Sequence, residues 1–140
     1  MIQRIQTIWL ILAALCAFLS FKLAFYTGTM LINGVQSFAK IDATTSIPLI
    51  AGTAAVGVLA IIAIFLYKTR KMQLRLCVVG LLIEAVVIFL YYTEIKKLTA
   101  GTGTYALTAL LQACIVLFFF LAAKGINNDD KIIKESNRLR

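Results

Sequence analysis

The sequence predicts an all-α membrane protein, a four-transmembrane-helix bundle with both chain ends on the cytoplasmic side. Three observations lead there. Of 140 residues, 61% are apolar and 14% charged, against about 45–50% and about 25% in soluble domains. The apolar residues collect in four blocks of bilayer length. Lys and Arg are shared unequally between the segments that join those blocks. Histidine is absent, which excludes Ser-His-Asp triads, Cys-His dyads, H-E-x-x-H zinc sites and bis-histidine haem ligation.

The blocks are read as spans at about 5–26, 47–67, 74–92 and 105–123. At 1.5 Å per residue, about 20 residues cover roughly 30 Å of hydrocarbon. Backbone groups in lipid must pair within their own segment, so each block is expected to be helical. Arg4 ahead of the first block also suits a cleaved signal peptide. No Ala-x-Ala site follows, however, and Leu15 before Cys16 spoils a lipoprotein-type box, so the span is retained. Pro48 falls in the first turn of the second span, where a missing N–H costs nothing.

Orientation follows from the basic residues. Arg4, Lys68, Arg70, Lys71, Arg75, Lys124, Lys131, Lys134, Arg138 and Arg140 share one side; Lys22, Lys40, Lys96 and Lys97 share the other. The richer side is expected in the cytoplasm, and the imbalance argues against insertion both ways up. Trp9 and Tyr67 near the inner boundary, and Tyr26, Tyr91, Tyr92 and Tyr105 near the outer one, fit aromatic belts. The net charge of +8 is then a topology signal, aided by attraction to the lipid bilayer's anionic headgroups. No aromatic platform interleaves the basic residues, so no nucleic acid partner is expected.

The first outer loop, 27–46, carries a hairpin signature: apolar-containing runs at 29–32 and 35–38 flank Asn33-Gly34, the pair that suits a type I′ turn. Met30, Ile32, Val35 and Phe38 are candidates to rest on the bundle or the bilayer. The second outer loop, 93–104, ends in Gly101-Thr102-Gly103-Thr104 and reads as a flexible turn. The tail, 127–140, reads as a separate amphipathic helix. Asn127 or Asn128 would cap it, Asp129 and Asp130 fill its first turn, and Arg138 and Arg140 close it. Ile132, Ile133 and Leu139 share one side, with Lys131 and Lys134 beside them. Such a helix either lies on the inner leaflet or docks in a groove of a cytoplasmic protein or a membrane-complex subunit.

Glu84 is the one ionisable residue deep within a span. A carboxyl there is expected to be neutral, because hydrocarbon disfavours charge, and it marks a functional position by default. Measured from Leu74 and Ala123, Glu84 and Gln112 lie at similar depth, so a hydrogen-bonded Glu84–Gln112 pair is expected between adjacent helices. Thr53, Thr108 and Ser20 are the other interior polar residues. Cys16, Cys77 and Cys114 form no C-x-x-C and read as small apolar packing. Ala13/Ala17, Ala51/Ala55 and Thr53/Gly57 have the small-x-x-x-small spacing of close helix contacts. No phosphate loop, metal cluster or paired carboxylate is present, so neither enzyme activity nor a cofactor is expected. A lipid or quinone site would have only Trp9 and the run 118–120 behind it.

The two ends together resemble a known family. Met1-Ile2-Gln3-Arg4-Ile5-Gln6-Thr7, followed by Ile8-Trp9-Leu10, is similar to the start of the small bacterial membrane proteins catalogued as domain of unknown function 4293. The ending from Ile126, with Asp129, Asp130, Lys131, Ile132, Ile133, Lys134, Arg138, Leu139 and Arg140, resembles their I-x-x-D-[DE]-K-[LI]-[VI]-[KR]-x-x-x-R-[LI]-R signature. Asn127, Asn128 and Asn137 depart from its charge pattern. The resemblance implies an inner-membrane protein of a Gram-negative bacterium and no assigned activity. Expected from all this is a non-enzymatic accessory or scaffold protein whose tail engages a partner. The alternative is a small proton-coupled transporter or channel acting through Glu84. Self-association is left open.

Overall fold

The apolar runs fold into helices in a computed structural model of the chain, which describes residues 3–32, 35–97, 103–106 and 109–138. Helix α1 spans Gln3–Leu19, α2 Ile47–Phe65, α3 Arg70–Ile95 and α4 Leu110–Arg138. A 3-10 turn, Leu66–Lys68, joins α2 to α3. Helices α2 and α3, and α4 over Leu110–Ile132, are long and apolar enough to cross a membrane; α1 is shorter, with 17 residues. Helix α1 packs on α2 and α4, and α3 packs on the same two, so the helices close a ring.

Several boundaries differ from the hydropathy reading. The first block leaves the helix at Leu19 instead of continuing to 26. The Ser20 hydroxyl bonds back to the Cys16 carbonyl at 3.0 Å, and the Phe25 amide then donates to the Ile41 carbonyl at 2.7 Å, turning the chain into a sheet. Helix α3 is longer than 74–92 at both ends. Helix α4 starts at Leu110 rather than 105 because Thr104–Tyr105 forms a strand.

The largest correction concerns the tail. Helix α4 runs unbroken through Asn127, Asn128, Asp129 and Asp130, so no separate helix is capped there. Asp129 is turned inward and accepts a hydrogen bond from the Gln6 side-chain amide of α1. That bond makes the supposed first turn of a new helix the interior of the old one. Gly125, one turn earlier, lets the backbones close up, since a Cβ there would stand 3.0 Å from Gln6 Cγ.

Strands β1 (Tyr26–Ile32) and β2 (Val35–Ile41) pair antiparallel from Tyr26↔Ile41 to Ile32↔Val35. The Asn33-Gly34 turn lies outside the described residues, as do the side chains of Met30, Ile32 and Val35. Phe38 is 76% exposed and does not rest on the helices. The second loop is more than a turn, because β3 (Thr104–Tyr105) adds to β1 and gives the order β2-β1-β3. Tyr105 stands edge-on to both Phe25 and Tyr26. Gly103 is required there, since a Cβ would lie 2.3 Å from the Tyr26 ring.

Every helix buries one seam with alternating three- and four-residue spacing: Gln6, Leu10, Ala13, Ala17 and Ser20 from α1 into the turn after it; Gln73, Cys77, Gly80, Glu84, Val87 and Tyr91 on α3. On α4 the seam is Gln112, Ile115, Phe119, Ala122, Ile126 and Asp129. This spacing keeps one stripe facing inward along near-antiparallel helices. Of the small-residue pairs, Ala13/Ala17 and Thr53/Gly57 are on buried seams, whereas Ala51 faces outward. Outward positions are largely apolar as well, among them Leu82, Val86, Phe89, Leu117 and Phe120. An apolar exterior on this scale marks a surface that meets something other than water.

Candidate functional site

Among the described residues the buried seams are apolar except at two levels, and the two differ in one respect. Toward the start of α1 and the far half of α4 lie Gln6, Gln73 and Asp129, and here Gln6 donates to Asp129. Toward the sheet lie Ser20, Thr53, Glu84, Tyr91 and Gln112, all at least nine-tenths buried. At this second level Thr53 Oγ1, Glu84 Oε1, Tyr91 OH and Gln112 Oε1 have no hydrogen-bond partner among the described residues.

Helix register brings these groups together. Gly80 faces Phe119 across α3 and α4, and Gly52 faces Val87 across α2 and α3. Thr53 and Gln112 therefore stand near the level of Val87, with Glu84 one turn to one side and Tyr91 one turn to the other. The Tyr91 hydroxyl approaches the side chains of Thr53 and Gln112 without closing a hydrogen bond to either, and it lies in the field of the Glu84 and Asp42 carboxyls. Its ring is fixed by stacking on Phe25, with centroids 4.3 Å apart.

The expected Glu84–Gln112 hydrogen bond is not formed. Gln112 Nε2 donates instead to Ser20 Oγ at 3.1 Å, and Glu84 Oε1 is left unpaired. Gln112 stands about one helical turn nearer the sheet than Glu84, because the register that sets Phe119 against Gly80 brings Gln112 to the level of Val87. Both residues do belong to the same buried layer.

Apolar side chains enclose the layer on both sides. Ile115, Phe119, Cys77, Val56, Ala60 and Leu10 belong to one cluster that fills the bundle away from the sheet. Ile41, Ala43, Leu49 and Val87 surround Tyr91 at the sheet end. Asp42 stands at the edge of that second cluster. Its carboxylate accepts bonds from the Thr44 amide and hydroxyl, at 2.9 and 2.6 Å, and lies 3.7 Å from the exposed Lys40 ammonium. The Ala43 amide reaches the Ser20 carbonyl, so this segment covers the layer directly.

The tail set is placed only in part. Lys131 and Ile132 are exposed on α4. The side chains of Ile133, Lys134 and Arg138, and Leu139 and Arg140 altogether, lie outside the described residues. Arg70, Lys71, Leu74, Ile126 and Asp130 line a shallow groove between α3 and α4 on that end. Cys16, Cys77 and Cys114 are free thiols. Among the described residues, no three or more His, Cys, Asp or Glu gather as metal ligands would.

Glu84, Gln112, Thr53 and Ser20 stand out in the sequence as interior polar residues, whereas Tyr91 reads there as a belt aromatic and nothing in the sequence marks Asp42. The signal that reaches Tyr91 is the seam spacing. Stepping by three and four from Glu84 arrives at Tyr91, and stepping back from Asp129 arrives at Gln112.

A family model described as Domain of unknown function (DUF4293) matches residues 2–139. Neither the curated proteins nor the solved structures provide a match.

Proposed function

The chain belongs to the DUF4293 family, whose description assigns no activity, and from its own residues we propose a small proton-coupled membrane transporter or channel centred on Glu84. The membrane reading draws on the three long apolar helices and the apolar exterior. By the positive-inside rule, the end bearing Arg70, Lys71, Lys124 and Lys131 faces the cytoplasm, with both chain ends, and the sheet faces outward. The protein then sits in a bacterial inner membrane.

One observation carries the functional reading: four buried polar atoms from α2, α3 and α4 converge without hydrogen-bond partners among the described residues. Leaving a buried polar group unpaired costs about 1–3 kcal/mol, so a layer built only to hold helices together pairs its members. The Gln6–Asp129 contact in the same protein does so. A carboxyl with an unpaired oxygen beside hydroxyls and an amide oxygen is suited to bind and release a proton, or to hold a hydrogen-bonding solute while it does.

Purified protein in vesicles containing the pH-sensitive dye pyranine tests this. Under an imposed potassium-diffusion potential, the wild-type chain is expected to acidify the lumen faster than protein-free vesicles. Glu84→Gln, which keeps the shape and removes the titrating proton, should fall to the protein-free rate. Equal rates for the two proteins would remove Glu84 from the function.

A second reading, a non-enzymatic accessory protein with a docking tail, draws on Lys131 and Ile132, which are exposed just beyond the buried Asp129. Truncation after Asp130 keeps the Gln6–Asp129 contact and removes everything distal. Under this reading, proteins that co-purify with the full chain in mild detergent are lost. Their retention would rule the docking role out.

A further inference from the structure

We infer that in this packing Glu84 exchanges protons with only one side of the molecule, the sheet end, by way of Asp42, Tyr91 and the Thr53–Gln112 pair, so that flux across the membrane requires the packing on the other side to open; this rests on the proposed role of Glu84. From Glu84 toward the sheet, the next turns carry hydroxyl and amide groups. Thr53 and Gln112 come first, Gln112 held by Ser20, and then the Tyr91 hydroxyl in the field of Asp42. From Glu84 the other way, the same seams carry Gly80, Cys77, Ile115, Phe119 and Ala122, a stretch with no hydroxyl or carboxyl. Phe119 is fully buried, and its ring stands where a Gly80 Cβ would be, 2.7 Å away, so this direction is plugged by packing.

Protons move along chains of groups that can accept one hydrogen bond and donate another. Thr53 and Tyr91 are such groups, and their unpaired oxygens are points where bridging water attaches. The balance is simple. A proton from water at the sheet end joins the Asp42 carboxylate and leaves through the Tyr91 hydroxyl, which accepts one proton as it passes on its own. The relay ends on the Glu84 carboxylate, which is thereby neutralised. The titratable groups facing this route are few. Helix α3 contributes Tyr91 and Glu84 itself, and the segment before α2 contributes Asp42, with Lys40 beside it. The residues that α2 and α4 bring to the layer, Thr53 and Gln112, do not titrate.

Cysteine accessibility separates the two directions. In a full-length chain with Cys16, Cys77 and Cys114 replaced by alanine, single cysteines are placed by Glu84→Cys and Thr53→Cys. A small, water-soluble methanethiosulfonate is then added to one side of oriented vesicles. Lys40→Cys and Lys71→Cys, both at exposed positions on opposite ends, report which side is which. Glu84→Cys and Thr53→Cys are expected to react from the Lys40 side and not from the Lys71 side. Thr53→Cys changes volume little, so it answers even where Glu84→Cys fails to fold. In the proton assay, Tyr91→Phe keeps the ring stacked on Phe25 and is expected to slow the flux. Reaction from the Lys71 side, from both sides equally, or from neither would overturn the route. Loss of flux in Glu84→Gln alongside such labelling would leave the reading of Glu84 standing without it.

Discussion

Gly80→Leu is expected to lower the stability of the fold sharply, and Phe119→Ala to restore much of what it loses. Gly80 is on the buried seam of α3, and a Cβ built there would lie 2.7 and 2.9 Å from two atoms of the Phe119 ring. Those distances are below contact, and the ring has nowhere to go, because Phe119 is fully buried within the apolar cluster. Overpacking a filled core costs about 1–3 kcal/mol, occasionally more, and a leucine exceeds a Cβ by three further carbons. A Phe→Ala change in a core alone costs about 3–5 kcal/mol. In the double variant the leucine occupies the space the ring vacates, so the two losses should not add. Thermal unfolding in mild detergent checks this. Two single variants with low Tm and a double variant well above both would establish the contact, and simple additivity would refute it.

How much of this was legible in the sequence depends on which force set each feature. Apolar runs report transfer from water, so the four helices were readable from composition along the chain. Their ends were not, because helix termini here are set by hydrogen bonds between distant segments. Leu19 ends α1 as the chain turns at Ser20 and joins Ile41, and Tyr105 stays out of α4 because it pairs with Tyr26. Asn127 to Asp130 carry the composition of a helix start, and a contact 123 residues away, from Gln6, overrides it.

The site was legible as residue types and not as a network. Glu84 stands out in any apolar block. Its neighbours follow from helix register, and register depends on where each helix begins. Similar depth along two apolar blocks therefore points to a Glu84–Gln112 pair, whereas the packed register sets Gln112 a turn nearer the sheet, with its amide nitrogen engaged by Ser20. Tyr91 looks like a boundary aromatic in one dimension; the fold turns it inward between Phe25 and Leu49.

The stability of Glu84→Met bears on the central claim, that the Glu84 layer is kept for function and not for holding the helices together. Methionine has nearly the shape of glutamate and needs no hydrogen bond. Glu84 Oε1 is buried and unpaired, and replacing an unsatisfied buried polar group with an apolar one of like volume is neutral or stabilising. Other variants probe single contacts, whereas this one separates the two explanations of a buried carboxyl in a single melting curve. The expected result for purified Glu84→Met is a Tm equal to or above that of the wild-type chain. A Tm several degrees lower, by about the 1 kcal/mol or more of a lost interhelical hydrogen bond, would contradict it and return Glu84 to a structural role.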